Sequence, residues 1–600
     1  MLIDFFASLS FYIIPYLTGR FFTKKVFLAW IVGAFLWFAI YFSVFTGLQI
    51  LKINNFSLVI RYLAIGISLF SLINIGYSFR KERPRFDFLN LQIGTFLLVF
   101  TSIVYFLIWK RNTPYPLQLN WDIYEHITLA NLISDGKLSF FTTRISDTFT
   151  FTSYSPLFGI LLSLPKIIFQ RGLLGIYWWL EYWHYFLTAI ASFLIAQKLF
   201  RDRGLALLAA ILSSLTFEAV IAYSALFLIP QTMVALITVF LASEIISYKK
   251  IFLLIASLVI LLMHYVVGPL CLAFLGVLYL APRLPISLKF LNAMVVLATA
   301  FLLGILGLHF LGNWQVLSIE EASHFSFSIF EKAGFILDWY GIFILFALIG
   351  FFGILRGKNY SQKIILILAL IIFGISFSPF SYFLKFYVLG HYLTNLIIVA
   401  GIAVLVSNFS NFLKFISFTI LTVSLAITFY NNQLLYKEPL HFGNYVAQIS
   451  NGEVDASAFL ASYNKKENAF LVSDPSLQYV LEANSGVNTQ GGVYMNLSTR
   501  KTLESMNGSY NPVFIRNKVL SIEDSLTSDR NSHRQVLFAV GGRYFEWQAL
   551  PRSQKESTFY NIWSPKTITP NDQTYINFLK NSKQFKLLYQ NKEIAIFQVI

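Results

Sequence analysis

Residues 120–137 read NWDIYEHITLANLISDGK and bring Asp122, Glu125 and His126 together between long apolar blocks. Spaced i, i+3 and i+4, the three share one face of a helix. Two carboxylates beside an imidazole suit acid–base work on a hydroxyl or amide, or ligation of a divalent cation. The same residues also have a purely structural reading. Asp122-x-x-Glu125 is a capping box, which satisfies free amides at a helix start and is worth roughly 1 kcal/mol. Gly136 is then placed to end that helix. The two readings are compatible, because a helix start facing a cavity is a good place to hold a carboxylate.

The elements that must position this group are apolar. Of the 600 residues, 56% are hydrophobic and 18% aromatic, while only 12% are charged. Soluble domains carry about 25% charged residues, so the composition predicts a polytopic membrane protein. The single cysteine, Cys271, excludes a disulfide framework within the chain. The N-terminus lacks the charge order of a signal peptide, since Asp4 precedes the first apolar run and Arg20, Lys24 and Lys25 follow it.

Runs of spanning length fall at 3–19, 26–49, 56–78 and 89–109, then at 174–197, 204–222, 226–247, 251–266 and 267–282, and finally at 290–311, 339–355, 363–380, 387–407 and 412–430. About fourteen crossings are expected. Net charge is +16, yet the basic residues cluster in alternate short loops, such as Arg80 to Arg85, Lys198 to Arg203 and Arg356 to Lys363. They report membrane orientation rather than a nucleic-acid partner. The opposite loops hold little more than Lys52 and Lys385. The positive-inside rule then puts residues 110–173 and everything after 430 on the extracytoplasmic side. This requires residues 155–169, SPLFGILLSLPKIIF, to lie on the outer surface as an interfacial helix rather than cross. The organisation expected is N-terminal transmembrane helices over 1–109, a large outer loop over 110–173, the remaining bundle over 174–430 and an outer domain over 431–600.

In that last part the composition turns polar. FLVSDPSLQYVLEANSG (470–486) reads as strand, turn and a helix stopped by Gly486, and VLFAVGG (536–542) as a buried strand. Residues 575–600 read as a helix and a closing hairpin with Asn591-Lys592 at its turn. The fold class is therefore a polytopic α-helical membrane protein with a C-terminal extracytoplasmic α/β domain.

Other ionisable residues sit at the same membrane face. Glu218 lies near the outer end of its run, and a charge costs about 2.5–3.5 kcal/mol at the bilayer centre but less near the surface. It is a second acid for the site or an interfacial Glu reaching water. Glu181 and His184 form an i, i+3 pair in YWWLEYWHYF, read as mutually satisfied within an aromatic belt. His264 reads as a satisfied histidine at the outer end of a short span. Arg61 reads as snorkelling or facing the bundle.

The order of these parts resembles the GT-C superfamily of membrane glycosyltransferases, which includes oligosaccharyltransferase catalytic subunits, protein O-mannosyltransferases and lipid A aminoarabinose transferases. The pattern is an Asp after a transmembrane helix, a short helix, a Gly, a Tyr/Pro-containing surface helix and a span ending in a basic loop. Here these are Asp122, 123–135, Gly136, Tyr154-Ser155-Pro156, and 174–197 ending KLFRDRG. The likeness continues through 226–242, 261–270 and 382–402 and covers most of 90–600. The chain departs from several members at its start, with four spans rather than one before the catalytic loop.

The resemblance implies an inverting glycosyltransferase. Its donor is a sugar on a polyprenyl phosphate, and its acceptor is a glycan, lipid or protein. Asp122 is the implied base or acceptor-orienting acid, with Glu125 and Glu218 as supporting acids. His126, Tyr154, His264, Lys385 and His391 are candidates for substrate contact, with Lys385 facing the donor phosphate. In the metal-dependent branch the equivalent acid holds a divalent cation, Mg or Mn, for which Asp122, Glu125 and His126 are the ligands to consider. The expected location is the plasma membrane. Two other classes compete: a transporter or flippase for a lipid-linked glycan, which should show repeated halves that are not seen, and a non-catalytic receptor, which would need no acids in this loop.

Overall fold

A computed structural model gives the fold, describing the chain apart from residues 54, 82–87, 110–114, 116–121, 137–142, 147–148, 152–155, 217–227, 245–249, 311–333, 335, 338, 379–382, 409–418, 420, 428–449, 490–496, 507, 527–534 and 550–566. Helices dominate residues 2–408: α1 Leu2–Gly19, α2 Val26–Leu51, α3 Phe56–Lys81, α4 Phe88–Val104, α5 Asp122–Ser134, α6 Pro156–Phe169, α7 Leu173–Phe200, α8 Arg203–Leu215, α9 Pro230–Glu244, α10 Lys250–Met263, α11 Val267–Leu280, α12 Leu288–Phe310, α13 Phe343–Arg356, α14 Tyr360–Phe377 and α15 Phe383–Asn408. A short antiparallel pair, β1 Thr143–Ser146 and β2 Phe149–Phe151, follows α5.

Among the described residues, six helices are long and apolar enough to cross a membrane, within α1, α2, α3, α12, α14 and α15. Seven shorter apolar helices accompany them, α6 included. Helix α7 has 28 residues, but Glu181, His184 and a row of Trp and Tyr lower its hydropathy. Those rings pack with Tyr105 and Phe106 in a separate aromatic cluster. Glu181 and His184 are both buried. The expected run at 412–430 lies largely outside the described residues.

Two sequence expectations about this bundle differ from the structure. Helix α6, expected on the surface, is enclosed by α1, α2, α3, α5 and α10, and Leu157 to Pro165 are all buried. The cause is visible in its sequence: it has no polar face, so every side needs cover. Lys363, counted with the loop charges, is also buried. Its Nζ donates to the Ile354 and Leu355 carbonyls at 3.1 and 2.6 Å and to Asn292 Oδ1 at 2.6 Å. It caps the last turn of α13, where free carbonyls carry the negative end of the helix dipole.

Backbone contact between α13 and α15 depends on two glycines. A Cβ on Gly350 would strike the Ile397 carbonyl, and one on Gly401 the Phe346 carbonyl. Small residues of this kind let apolar helices approach closely enough for dispersion to hold them in lipid.

The C-terminal part is an α/β unit with helices α16 Asn451–Glu467, α17 Pro475–Ser485, α18 Leu497–Ser505, α19 Pro512–Leu526, α20 Gly542–Ala549 and α21 Pro570–Lys580. Its strands are β3 Ala469–Val472, β4 Asn488–Thr489, β5 Gln535–Gly541, β6 Phe585–Gln590 and β7 Ile594–Val599, in the order β4-β3-β5-β7-β6. Strands β4, β3 and β5 are parallel, while β7 runs antiparallel to both β5 and β6. The predicted strand–turn–helix stopped by Gly486 (φ +68°) and the closing hairpin at Asn591 are both present. One buried ion pair holds α16 to α20. Arg543 Nη2 donates to Glu453 Oε2 at 3.0 Å, and the same carboxylate accepts the Ser450 amide in a capping box. Placing the glutamate in a capping box supplies the extra hydrogen bonds that a buried charge requires.

Gly401→Leu should force α13 and α15 apart and lower the thermal stability of the detergent-solubilised chain by about 1–3 kcal/mol. Gly401→Ala should cost less. A melting curve unchanged by the leucine would refute the close backbone contact.

Candidate functional site

Helix α5 begins at Asp122 and ends in the left-handed Gly136 (φ +70°), as the residue pattern requires. Every residue from Ile123 to Ala130 is buried, so polar and apolar faces alike are covered. One cover is α6, whose Gly159 sits against Leu129 and Ile133. His126 turns its ring edge-on to Phe158, with centroids 5.2 Å apart. Glu125 and His126 are each 3% exposed. Burial pushes the His126 imidazole down to about 3, so it is neutral at physiological pH.

The other cover comes from the C-terminal domain. Helix α17 lies along α5, and Asn131 Nδ2 donates to the Ala483 carbonyl at 2.7 Å. Val480 and Ala483 join the same apolar cluster as the helices of the bundle. This contact was missed at the sequence level. Its one signal was Asn131, an amide in an otherwise apolar stretch of α5.

Two further candidates sit on other elements. His264 stands between α10 and α11, buried, with Nδ1 accepting from the Val266 and Val267 amides at 3.2 Å each. Those bonds fix the tautomer, leaving the proton on Nε2. Lys385 is close enough for its charge to act on His264. Lys385 is in the first turn of α15 and half-buried. The turn between α10 and α11 and the start of α15 therefore lie near one another.

His391 is engaged differently. It lies on α15 six residues beyond Lys385, with Nδ1 3.2 Å from the Tyr340 hydroxyl and Nε2 3.2 Å from the Ser213 carbonyl. Donating Nε2–H to that carbonyl leaves Nδ1 to accept from Tyr340, which itself accepts from Tyr387 at 2.7 Å. Asn395, next along the helix, accepts from Thr216 at 2.8 Å. Both ring nitrogens of His391 thus serve to join α15 to α8 and to the segment before α13.

Glu218 and Tyr154 lie outside the described residues. Among the described residues, no group of three His, Cys, Asp or Glu is placed to hold a metal ion. A polar group of the α17 helix adds one more titratable side chain near α5. Glu482 is buried and accepts from the Thr489 hydroxyl at 3.0 Å and from Gln478 Nε2. Burial raises its carboxyl well above the usual range, and the two hydrogen bonds oppose that shift.

Compared with family models and with curated proteins, the sequence matches none. Solved structures of the oligosaccharyltransferase of Archaeoglobus fulgidus are similar to the chain. Its apo form matches at 12% identity and TM-score 0.49, over 76% of this chain and 70% of that one. Its complex with an inhibitory peptide and a dolichol-phosphate matches at 12% identity and TM-score 0.48, over 77% and 70%. Its complex with zinc and sulfate matches at 14% identity and TM-score 0.48, over 76% and 69%.

Glu482 sets a pH dependence with a definite sign. An acid whose folded pKa is raised binds its proton more tightly when folded, so stability is greatest below the unfolded value near 4.5 and falls as pH rises through the folded one. Glu482→Gln should therefore stabilise the domain at pH 7.5 and leave it unchanged at pH 4. Thermal melting of both proteins at the two pH values measures this; equal gains at both would remove the titration.

Proposed function

We propose that the chain is an integral-membrane glycosyltransferase that moves a sugar from a polyprenyl-phosphate carrier to an acceptor on the extracytoplasmic side. The observation that carries this reading is the placement of the candidate groups. Helix α5 opens on Asp122 and carries the buried His126, while Lys385 at the start of α15 is close enough to His264 for its charge to act there. An acid for the acceptor and a cation for a departing phosphate are the two groups such a transfer needs.

The reaction has a simple balance. Asp122 accepts the proton of the acceptor hydroxyl or amide. The freed lone pair attacks the anomeric carbon, the bond from that carbon to the lipid phosphate breaks, and the phosphate leaves with both electrons. In-line attack inverts the anomeric centre. Lys385 offsets the charge that develops on the leaving oxygen. The neutral His126 orients polar groups without adding a second positive charge.

A carrier buried in lipid explains why so much of the chain is apolar helix. About fourteen crossings, with α5 and the α/β domain outside, are the topology we assign. The basic loops at Lys198 to Arg203 and Arg356 to Lys358 then face the cytoplasm. The α/β domain stands over the acceptor side, touching the helix that opens on Asp122.

Asp122→Asn, expressed to the wild-type level, should lower sugar transfer in membranes by about 10²–10⁴-fold. Lys385→Met should lower it as well, while Lys385→Arg retains part. Unchanged transfer in Asp122→Asn would remove that residue from the mechanism. Absence of transfer by the wild type from every polyprenyl-phosphate donor would favour a transporter or a receptor.

A further inference from the structure

The α2–α3 hairpin ends in a cavity of about 820 Å³ that the transfer reaction does not use. Phe45 and Phe56 line it together with Lys52, Arg61, Asp135 and Gln170. It is closed on one side by the end of α5, where Gly136 lies against Phe56. Helix α5 has 13 residues, so this end is about 20 Å from Asp122. The cavity is therefore separate from Asp122.

Its charge is unbalanced. Asp135 already has a partner, Lys166 Nζ at 3.7 Å. Lys52 and Arg61 make no ion pair among the described residues. Lys52 is held in place by its backbone, a left-handed residue (φ 55°) that ends α2 and returns its amide to Gln49. Counting the four charges leaves an excess of two positive. Two cations from different helices, a guanidinium among them, can grip a phosphate from two directions.

The surroundings identify what carries that phosphate. Helix α3 has only 22% of its apolar window buried, and Leu58, Tyr62, Leu69 and Phe70 are exposed along its length. A cationic pocket at the end of an uncovered apolar helix matches a molecule with a phosphate head and acyl chains. We propose that this cavity is a binding site for an anionic phospholipid, its phosphodiester between Lys52 and Arg61 and its chains along α3. The hairpin that precedes the catalytic loop thereby gains a role, anchoring a structural lipid beside the far end of α5. The assignment does not depend on Asp122.

Native mass spectrometry of the full chain in detergent, titrated with lipid, tests this. The probes are phosphatidylglycerol, phosphatidylcholine and the water-soluble headgroup glycerophosphoglycerol. The wild type should hold phosphatidylglycerol in preference to phosphatidylcholine. Lys52→Gln with Arg61→Gln should weaken it on the order of 25-fold, about fivefold for each cation. Asp135→Asn, which removes the opposing carboxylate, should tighten it by up to about fivefold, a gain that misfolding cannot mimic. Three results would overturn the proposal: equal binding of the two lipids by the wild type, undiminished binding of phosphatidylglycerol by the double variant with native helicity, or glycerophosphoglycerol binding as tightly as the lipid.

Discussion

A helix of 13 residues is marginal by itself in water, because nucleation costs more than so few hydrogen bonds return. Helix α5 exists in this chain only through what covers it. Its residues Ile123 to Ala130 are buried, with α6 of the bundle and α17 of the C-terminal domain packed on the helix. Its position is thus set by one segment close behind it in sequence and one in the last domain. Burying His126 in that sandwich has an electrostatic consequence: the imidazole is kept uncharged.

The counterpart of α5 is α15, which carries Lys385. Its translation and rotation are fixed by different means. Glycine contact with α13 sets how close it comes. The chain of Tyr387, Tyr340, His391 and the Ser213 carbonyl sets which way it turns. Polar networks buried in an apolar bundle are costly unless complete, so they specify one arrangement rather than merely adding stability. In this protein that network holds the helix while leaving Lys385, in its first turn, half-buried.

Local signals are legible in the sequence. Most apolar runs match helices within a few residues, though the helix in 204–222 ends at Leu215 and 412–430 lies largely outside the described residues; Gly136 ends α5, and the α/β domain contains the strand, helix and hairpin expected from its turns. What could not be read is which element covers which. An apolar circumference says that α6 needs neighbours on all sides, not that α1, α2 and α3 supply them. Loop lysines look alike in a sequence, yet Lys363 is spent on helix-end carbonyls. His391 and Lys385 share a helix and a residue class suited to phosphate, but the former is occupied by three-dimensional neighbours that no spacing rule predicts. Lys52 and Arg61 are nine residues apart and adjoin Asp135 only because the hairpin folds back onto α5.

The docking of α17 on α5 also imposes an order on biosynthesis. Asn131 and its partner Ala483 are separated by 352 positions. At about 5–20 residues per second, a ribosome needs roughly 20–70 s to travel between them. During that interval α5 has the cover of α6 but not that of α17. The nascent chain therefore passes through a stage in which this helix is only partly enclosed. Chains that stop short of the last domain remain at that stage.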